Sequence, residues 1–132
     1  MIRVIFACVH NAGRSQMAAA FFNAMADPSR ARAVSAGTRP ASAVHPGVVD
    51  AMREVGIDLA TATPTLLTDA LAGSARCLVT MGCGEACPLV PGLERLDWAL
   101  PDPKDQAPER VRAIRDEIRS RVAAWIAERG WA

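Results

Sequence analysis

The chain has 132 residues and a mass of 14.0 kDa, which fits a single domain over residues 1–132 and leaves little room for a second. Apolar residues make up 51% and charged residues 22%, which excludes a disordered chain, because such a chain could not bury enough surface to offset its ordering entropy. Fifteen basic against fourteen acidic residues leave a net charge of +1, which argues against nucleic acid as a partner.

Ile2 to Ala7 (IRVIFA) is a short β-branched and aromatic run, read as a buried strand, and it ends at CVHNAGRS, which has turn chemistry. Ser15 to Ala26 is rich in helix formers with apolar residues at helical spacing, and Asp27-Pro28 stops it. Ala31 to Ala36 reads as a second strand closed by Gly37. Pro46 to Val55 reads as a helix, with Pro at its first position and Gly56 just past its end. Thr68 to Leu71 can start a further short helix, and Arg76 to Met81 is a third strand. The loop GCGEACPLVPG follows, then a short fourth strand from Arg95 to Trp98. Pro101-Asp102-Pro103 must be a loop, because prolines this dense permit neither helix nor ladder. Pro108 to Arg129 is a long amphipathic helix with Val111, Ile114, Ile118, Val122, Trp125 and Ile126 on one face. Strands alternating with helices imply an α/β domain with a parallel sheet, whose ligand site lies beyond the carboxyl ends of the strands. Cys8, Cys83 and Asp102 all follow predicted strands.

No apolar run approaches the ~20 residues of a membrane span. The start, MIRVIFAC, has one charge and too short an apolar stretch for a signal peptide, so the chain is expected to be cytoplasmic, without a membrane partner. Four Cys in a reducing compartment point to catalytic, redox or metal-binding roles more than to structural staples.

Cys8 to Ser15 has the form C-x5-R-S between a strand and a helix. A loop at a helix N-terminus aims several backbone N–H groups into one concavity, and the helix dipole adds positive potential. A tetrahedral oxyanion fits such a place, and Arg14 can add two parallel charge-assisted hydrogen bonds. The same field favours a thiolate, and Ser15 can hydrogen-bond it. Gly13 suits a tight turn, and Asn11 can brace the loop through its side chain. On this loop alone the plainer alternative stands beside it: Cys8 ends a buried strand and Arg14 merely begins a helix. His10 reads as a solvent-facing loop residue, with general base or ligand as the other option. Displacing oxygen from an oxyanion needs a proton for the departing group, and a carboxyl near a bound dianion is pushed toward protonation by like charge. Asp97, Asp102 and Asp105 are all within reach, and spacing does not choose among them.

Cys83 and Cys87 share a loop predicted to lie beside Cys8, and glycines at 82, 84 and 92 give it the backbone freedom that thiol exchange requires. A zinc site is the competitor, but C-x3-C with two His elsewhere gives poor ligand spacing and no second Cys pair exists. Cys77 falls inside an apolar strand and reads as a small hydrophobe.

CVHNAGRSQMA, SAGT at Ser35 to Thr38, VTMGCGEACP at Val79 to Pro88 and the Asp102-Pro103 pair, in this order, resemble the low-molecular-weight tyrosine phosphatase superfamily, and more closely its arsenate reductase branch. The resemblance implies a three-layer α/β sandwich, a four-stranded parallel sheet with helices on both faces. It implies an oxyanion cradle from Val9, His10, Asn11, Ala12, Gly13, Arg14 and Ser15, with Cys8 as nucleophile and Asp102 as general acid. Arsenate would be the substrate, with phosphate or sulfate as analogues. In the implied relay Cys8 attacks arsenic, Cys83 attacks Cys8 and expels arsenite, and Cys87 then attacks Cys83. Thioredoxin would reduce the final disulfide, and no tightly bound cofactor is implied.

Several positions depart from the family pattern. Only three residues separate Cys83 from Cys87, fewer than in thioredoxin-linked members. This keeps open mycothiol or another small thiol, with a mycoredoxin-type donor, as the attacker. Ala19 stands where the family supplies a carboxylate to a potassium site, so no metal is expected, and Pro101 replaces an acidic residue before Asp102-Pro103. A low-molecular-weight phosphotyrosine phosphatase is the rival enzyme. Against it, Gln16 stands where that branch usually has Pro, and the chain has no Tyr. Weak phosphatase activity is compatible with the reductase reading. A non-enzymatic oxyanion-binding or metal-sensing module built on Cys83 and Cys87 is the remaining alternative.

Overall fold

The computed structural model describes residues 1–82 and 92–132, so Cys83 and Cys87 lie outside the described residues. Along the chain run β1 (Ile2–Cys8), α1 (Arg14–Met25), β2 (Ala31–Gly37), α2 (Pro46–Arg53), α3 (Asp69–Gly73), β3 (Cys77–Thr80), β4 (Glu94–Asp97) and α4 (Pro108–Arg129). The four strands pair in parallel in the order β2-β1-β3-β4, giving the expected α/β sheet. β1 is central and buried on both faces, which is why it reads as a continuous apolar run. Its side chains alternate: Val4, Phe6 and Cys8 join one core, while Ile5 and Ala7 join another.

The two faces are covered unequally. Residues of α1, α2 and α4 pack over the Phe6 face, whereas the Ile5 face is covered by the short α3 and the chain around Leu67. Thr68 caps α3 by accepting a hydrogen bond from the Leu71 N–H at 3.0 Å. The neighbours of β1 lie on opposite sides, β2 on one and β3 on the other. Its carboxyl end is therefore the switch point at which open parallel sheets hold ligands. Cys8 is the last residue of that strand.

An aromatic cluster anchors both ends of the loop that follows. Phe6 of β1 and Phe22 of α1 meet at 5.9 Å between ring centroids, and Trp98, Trp125 and Trp131 complete the cluster. Edge-on pairs of this kind add about 0.5–1.5 kcal/mol each beyond their buried area. All six α4 residues expected on one face are buried. Arg115 on α4 is buried as well, which apolar periodicity does not show. It donates to Ala51 O at 2.8 Å and to Glu54 at 2.8 Å, while Arg112 grips the same carboxylate at 2.9 Å.

The Arg112 hydrogen bond, helped by Arg115, holds the Glu54 carboxyl below its ordinary value. A carboxylate so depressed stabilises the fold above its unfolded-state pKa, and that contribution disappears as the pH falls through the folded value. Glu54→Gln should therefore lower Tm by a few degrees at pH 7, as exposed pairs are weak, and by progressively less toward pH 3. Parallel melting curves across this range check it; an equal deficit at both ends would contradict the pairing.

Candidate active site

Residues 8 to 13 turn their carbonyls away from the loop they form. Thr38 N–H donates to Cys8 O, Arg39 N–H to Val9 O at 2.8 Å, Ala41 N–H to His10 O at 2.9 Å and His45 N–H to Ala12 O at 2.9 Å. The Gln16 side chain donates to Asn11 O at 3.1 Å, and Met17 N–H donates to Gly13 O at 3.0 Å. Across a trans peptide the carbonyl and the next N–H point in opposite directions. With the carbonyls of 8 to 13 engaged outward, the N–H groups of residues 9 to 14 point inward. Inward N–H groups beside the N-terminus of α1 are an arrangement that can hold an anion.

The sulfur lies at the base of this loop. Cys8 is 2% exposed, and its Sγ sits 2.9 Å from Ser15 Oγ on the first turn of α1. Asn11 Nδ2 donates to the same Oγ at 2.7 Å, and an amide nitrogen can only donate. The Ser15 hydroxyl therefore accepts from Asn11 and is free to donate to the sulfur, as a thiolate nucleophile requires. Asn11 itself sits in the left-handed region, at φ 48°. Its side-chain oxygen accepts from Thr65 N–H at 2.8 Å and Gln16 Nε2 at 3.2 Å, so the surrounding structure holds the unfavourable backbone in place.

Arg14 reaches across the mouth. Its Nη1 donates to Leu100 O at 3.1 Å, and its Nη2 lies 3.8 Å from Asp102 Oδ2. The Nε is buried without a protein partner, one of two such side-chain atoms among the described residues. Asp102 is oriented by Lys104 N–H, which donates to its Oδ1 at 3.0 Å. The structure separates the three aspartates. Asp97 is occupied by Thr80 Oγ1 at 2.8 Å, and of the three it is Asp102 that lies beside Arg14. Gly82 has φ 101°, and a Cβ there would collide with the Arg14 guanidinium, so this glycine makes room for the arginine.

His10 lies on the rim, with Nδ1 3.2 Å from Arg39 O. Cys77 is fully buried on β3. Burial first, then Glu94, pushes its thiol above the ordinary value, as suits an unreactive core residue. His45, which no motif singled out, sits against the same Gly13 corner as Pro103.

The family described as "Low molecular weight phosphotyrosine protein phosphatase" matches residues 3–129. The chain belongs to the low molecular weight phosphotyrosine protein phosphatase family. Among the chain's relatives, a putative arsenate reductase of Halobacterium salinarum is 41% identical over 125 residues, covering 89% of this chain and 85% of that protein. A glutaredoxin arsenate reductase of Synechocystis sp. is 32% identical over 131 residues, covering 97% of this chain and 98% of that protein. The structure of a thioredoxin-dependent arsenate reductase from Corynebacterium glutamicum superposes with a TM-score of 0.83 at 38% identity. That match covers 97% of this chain, which spans 61% of that protein's length.

Proposed function

We propose that this family member is a cytoplasmic arsenate reductase that uses Cys8 as nucleophile and a thiol relay recharged by thioredoxin. The observation that carries the reading is the set of inward N–H groups above the Cys8 sulfur with Arg14 across its mouth. It suits a tetrahedral oxyanion, and the reductase relatives favour arsenate over a phosphoester.

In the proposed reaction Cys8 thiolate attacks arsenic, an As–O bond breaks, and Asp102 gives the departing hydroxyl the proton that makes it water. Amides of residues 9 to 14 and the Arg14 guanidinium hold the remaining oxygens and the charge that builds on them. Cys83 then attacks the Cys8 sulfur. An S–S bond forms, the As–S electron pair stays with arsenic, and arsenite leaves reduced by two electrons. Cys87 attacks Cys83, freeing Cys8 and leaving a Cys83–Cys87 disulfide. The two further cysteines, Cys83 and Cys87, support the relay over plain hydrolysis, because hydrolysis needs no further thiol whereas reduction needs two electrons.

Arsenate-dependent NADPH oxidation with thioredoxin, glutaredoxin and mycothiol systems in turn tests the donor. Thioredoxin should sustain turnover in the wild type, and Cys87→Ser should reduce it by about a hundredfold or more. Normal turnover of Cys87→Ser with a small thiol, with none by the wild type on thioredoxin, would replace the internal relay with an external one.

A further inference from the structure

His45 is the residue before α2, and it is tied to the cradle twice. Its backbone N–H donates to Ala12 O at 2.9 Å. Its ring comes to the corner made by Gly13: a Cβ placed there would lie 2.8 Å from Pro103 Cγ and 3.6 Å from His45 Cδ2. The cradle, the Asp102-Pro103 turn and the imidazole thus meet at one point. The charged groups that act on the ring come from both elements around it. Asp102, Lys104 and Asp105 belong to the loop after β4, and His10 belongs to the cradle.

We propose that His45 is a positioning residue for Asp102, which it leaves available as proton donor while neutral and captures as an ion partner when protonated. In the neutral state the ring packs beside Pro103 and supports the turn that carries Asp102. As an imidazolium it competes with the departing oxygen for the Asp102 carboxyl and removes the acid from the reaction. Burial pushes His45 below the ordinary histidine value, more strongly than Asp102 raises it. The neutral form therefore prevails at neutral pH, and the capture occurs on the acid side. The inference rests on the reading of Asp102 as general acid.

The test is the second-order rate constant for arsenite release when reduced enzyme is mixed with arsenate without a donor, followed from pH 5 to pH 8. Ratios between variants cancel the ionisation of arsenate. His45→Gln, neutral throughout and of similar reach, should match the wild type within about twofold at pH 7.5. Its ratio to the wild type should rise by at least about twofold toward pH 5, because only the wild type loses its acid. Asp102→Asn should slow the reaction, and in that background the pH-dependent advantage of His45→Gln should vanish. His45→Ala should cost about tenfold at neutral pH with the phosphate inhibition constant nearly unchanged. A flat Gln-to-wild-type ratio, with Asp102→Asn still slow, overturns the role of His45 alone. Phosphate inhibition that weakens in step with the rate overturns it too, by making His45 an anion contact. If Asp102→Asn runs at the wild-type rate, the general-acid reading fails first.

Discussion

Cys8→Ser should abolish arsenite release, by more than about a thousandfold, while leaving the fold and phosphate binding intact. Serine is smaller than cysteine and fits a position that is 2% exposed at the end of β1. Its hydroxyl can keep the Ser15 hydrogen bond, so the cradle should not rearrange. The chemistry fails for two reasons. An alcohol is not ionised near neutral pH, and an oxygen at position 8 cannot be released as one half of a disulfide. Turnover with thioredoxin, a thermal melt and phosphate binding by calorimetry check the three parts together. Loss of activity with loss of folding would leave the assignment without support, and retained arsenate reduction would contradict it.

Gly37→Ala should damage the site without touching a reacting group. Gly37 ends β2 and pairs with Cys8. A Cβ there would lie 2.6 Å from Val9 O and 2.9 Å from Asn11 N, both backbone atoms of the cradle. Neither can swing away as a side-chain tip would, because Val9 O is held by Arg39 N–H and Asn11 by Gln16 and Thr65. The loop must shift bodily, which misaims the inward amides. We expect about a hundredfold loss in kcat/KM, as a misplacement of about 1 Å around a reacting centre can cause. Overpacking should also lower stability by ~1–3 kcal/mol. Gly47→Ala, where nothing lies within 4 Å of the added atom, is the control and should retain activity. Equal activity of the two variants would show that the cradle tolerates movement.

The elements were legible because their signals are local. IRVIFA reads as a buried strand, and the α4 face reads from its spacing, since both periods are written in consecutive residues. The cradle residues were legible for a similar reason: the loop from Cys8 to Ser15 is one continuous stretch. What decides among the aspartates is not local. Arg14 contacts the loop after β4 across 86 positions, and no spacing rule reports which carboxylate will meet it. The outward turn of the carbonyls was equally hidden, because it depends on N–H groups of residues 38 to 45 laid alongside the loop by the β1–β2 pairing. Gly82 carried a signal that pointed elsewhere. A glycine in a Gly- and Pro-rich stretch reads as freedom, whereas here it answers a left-handed backbone and the passage of the Arg14 guanidinium. Arg115 and His45 gave none, since a polar residue amid polar neighbours does not announce burial or a tertiary partner.

The most direct measurement is mass spectrometry of the Cys87→Ser variant, reduced, mixed with arsenate and held without a donor. The account predicts one disulfide joining Cys8 to Cys83 and one arsenite released per chain. A disulfide that leaves Cys8 out, or arsenite released while Cys8 remains a free thiol, would contradict it.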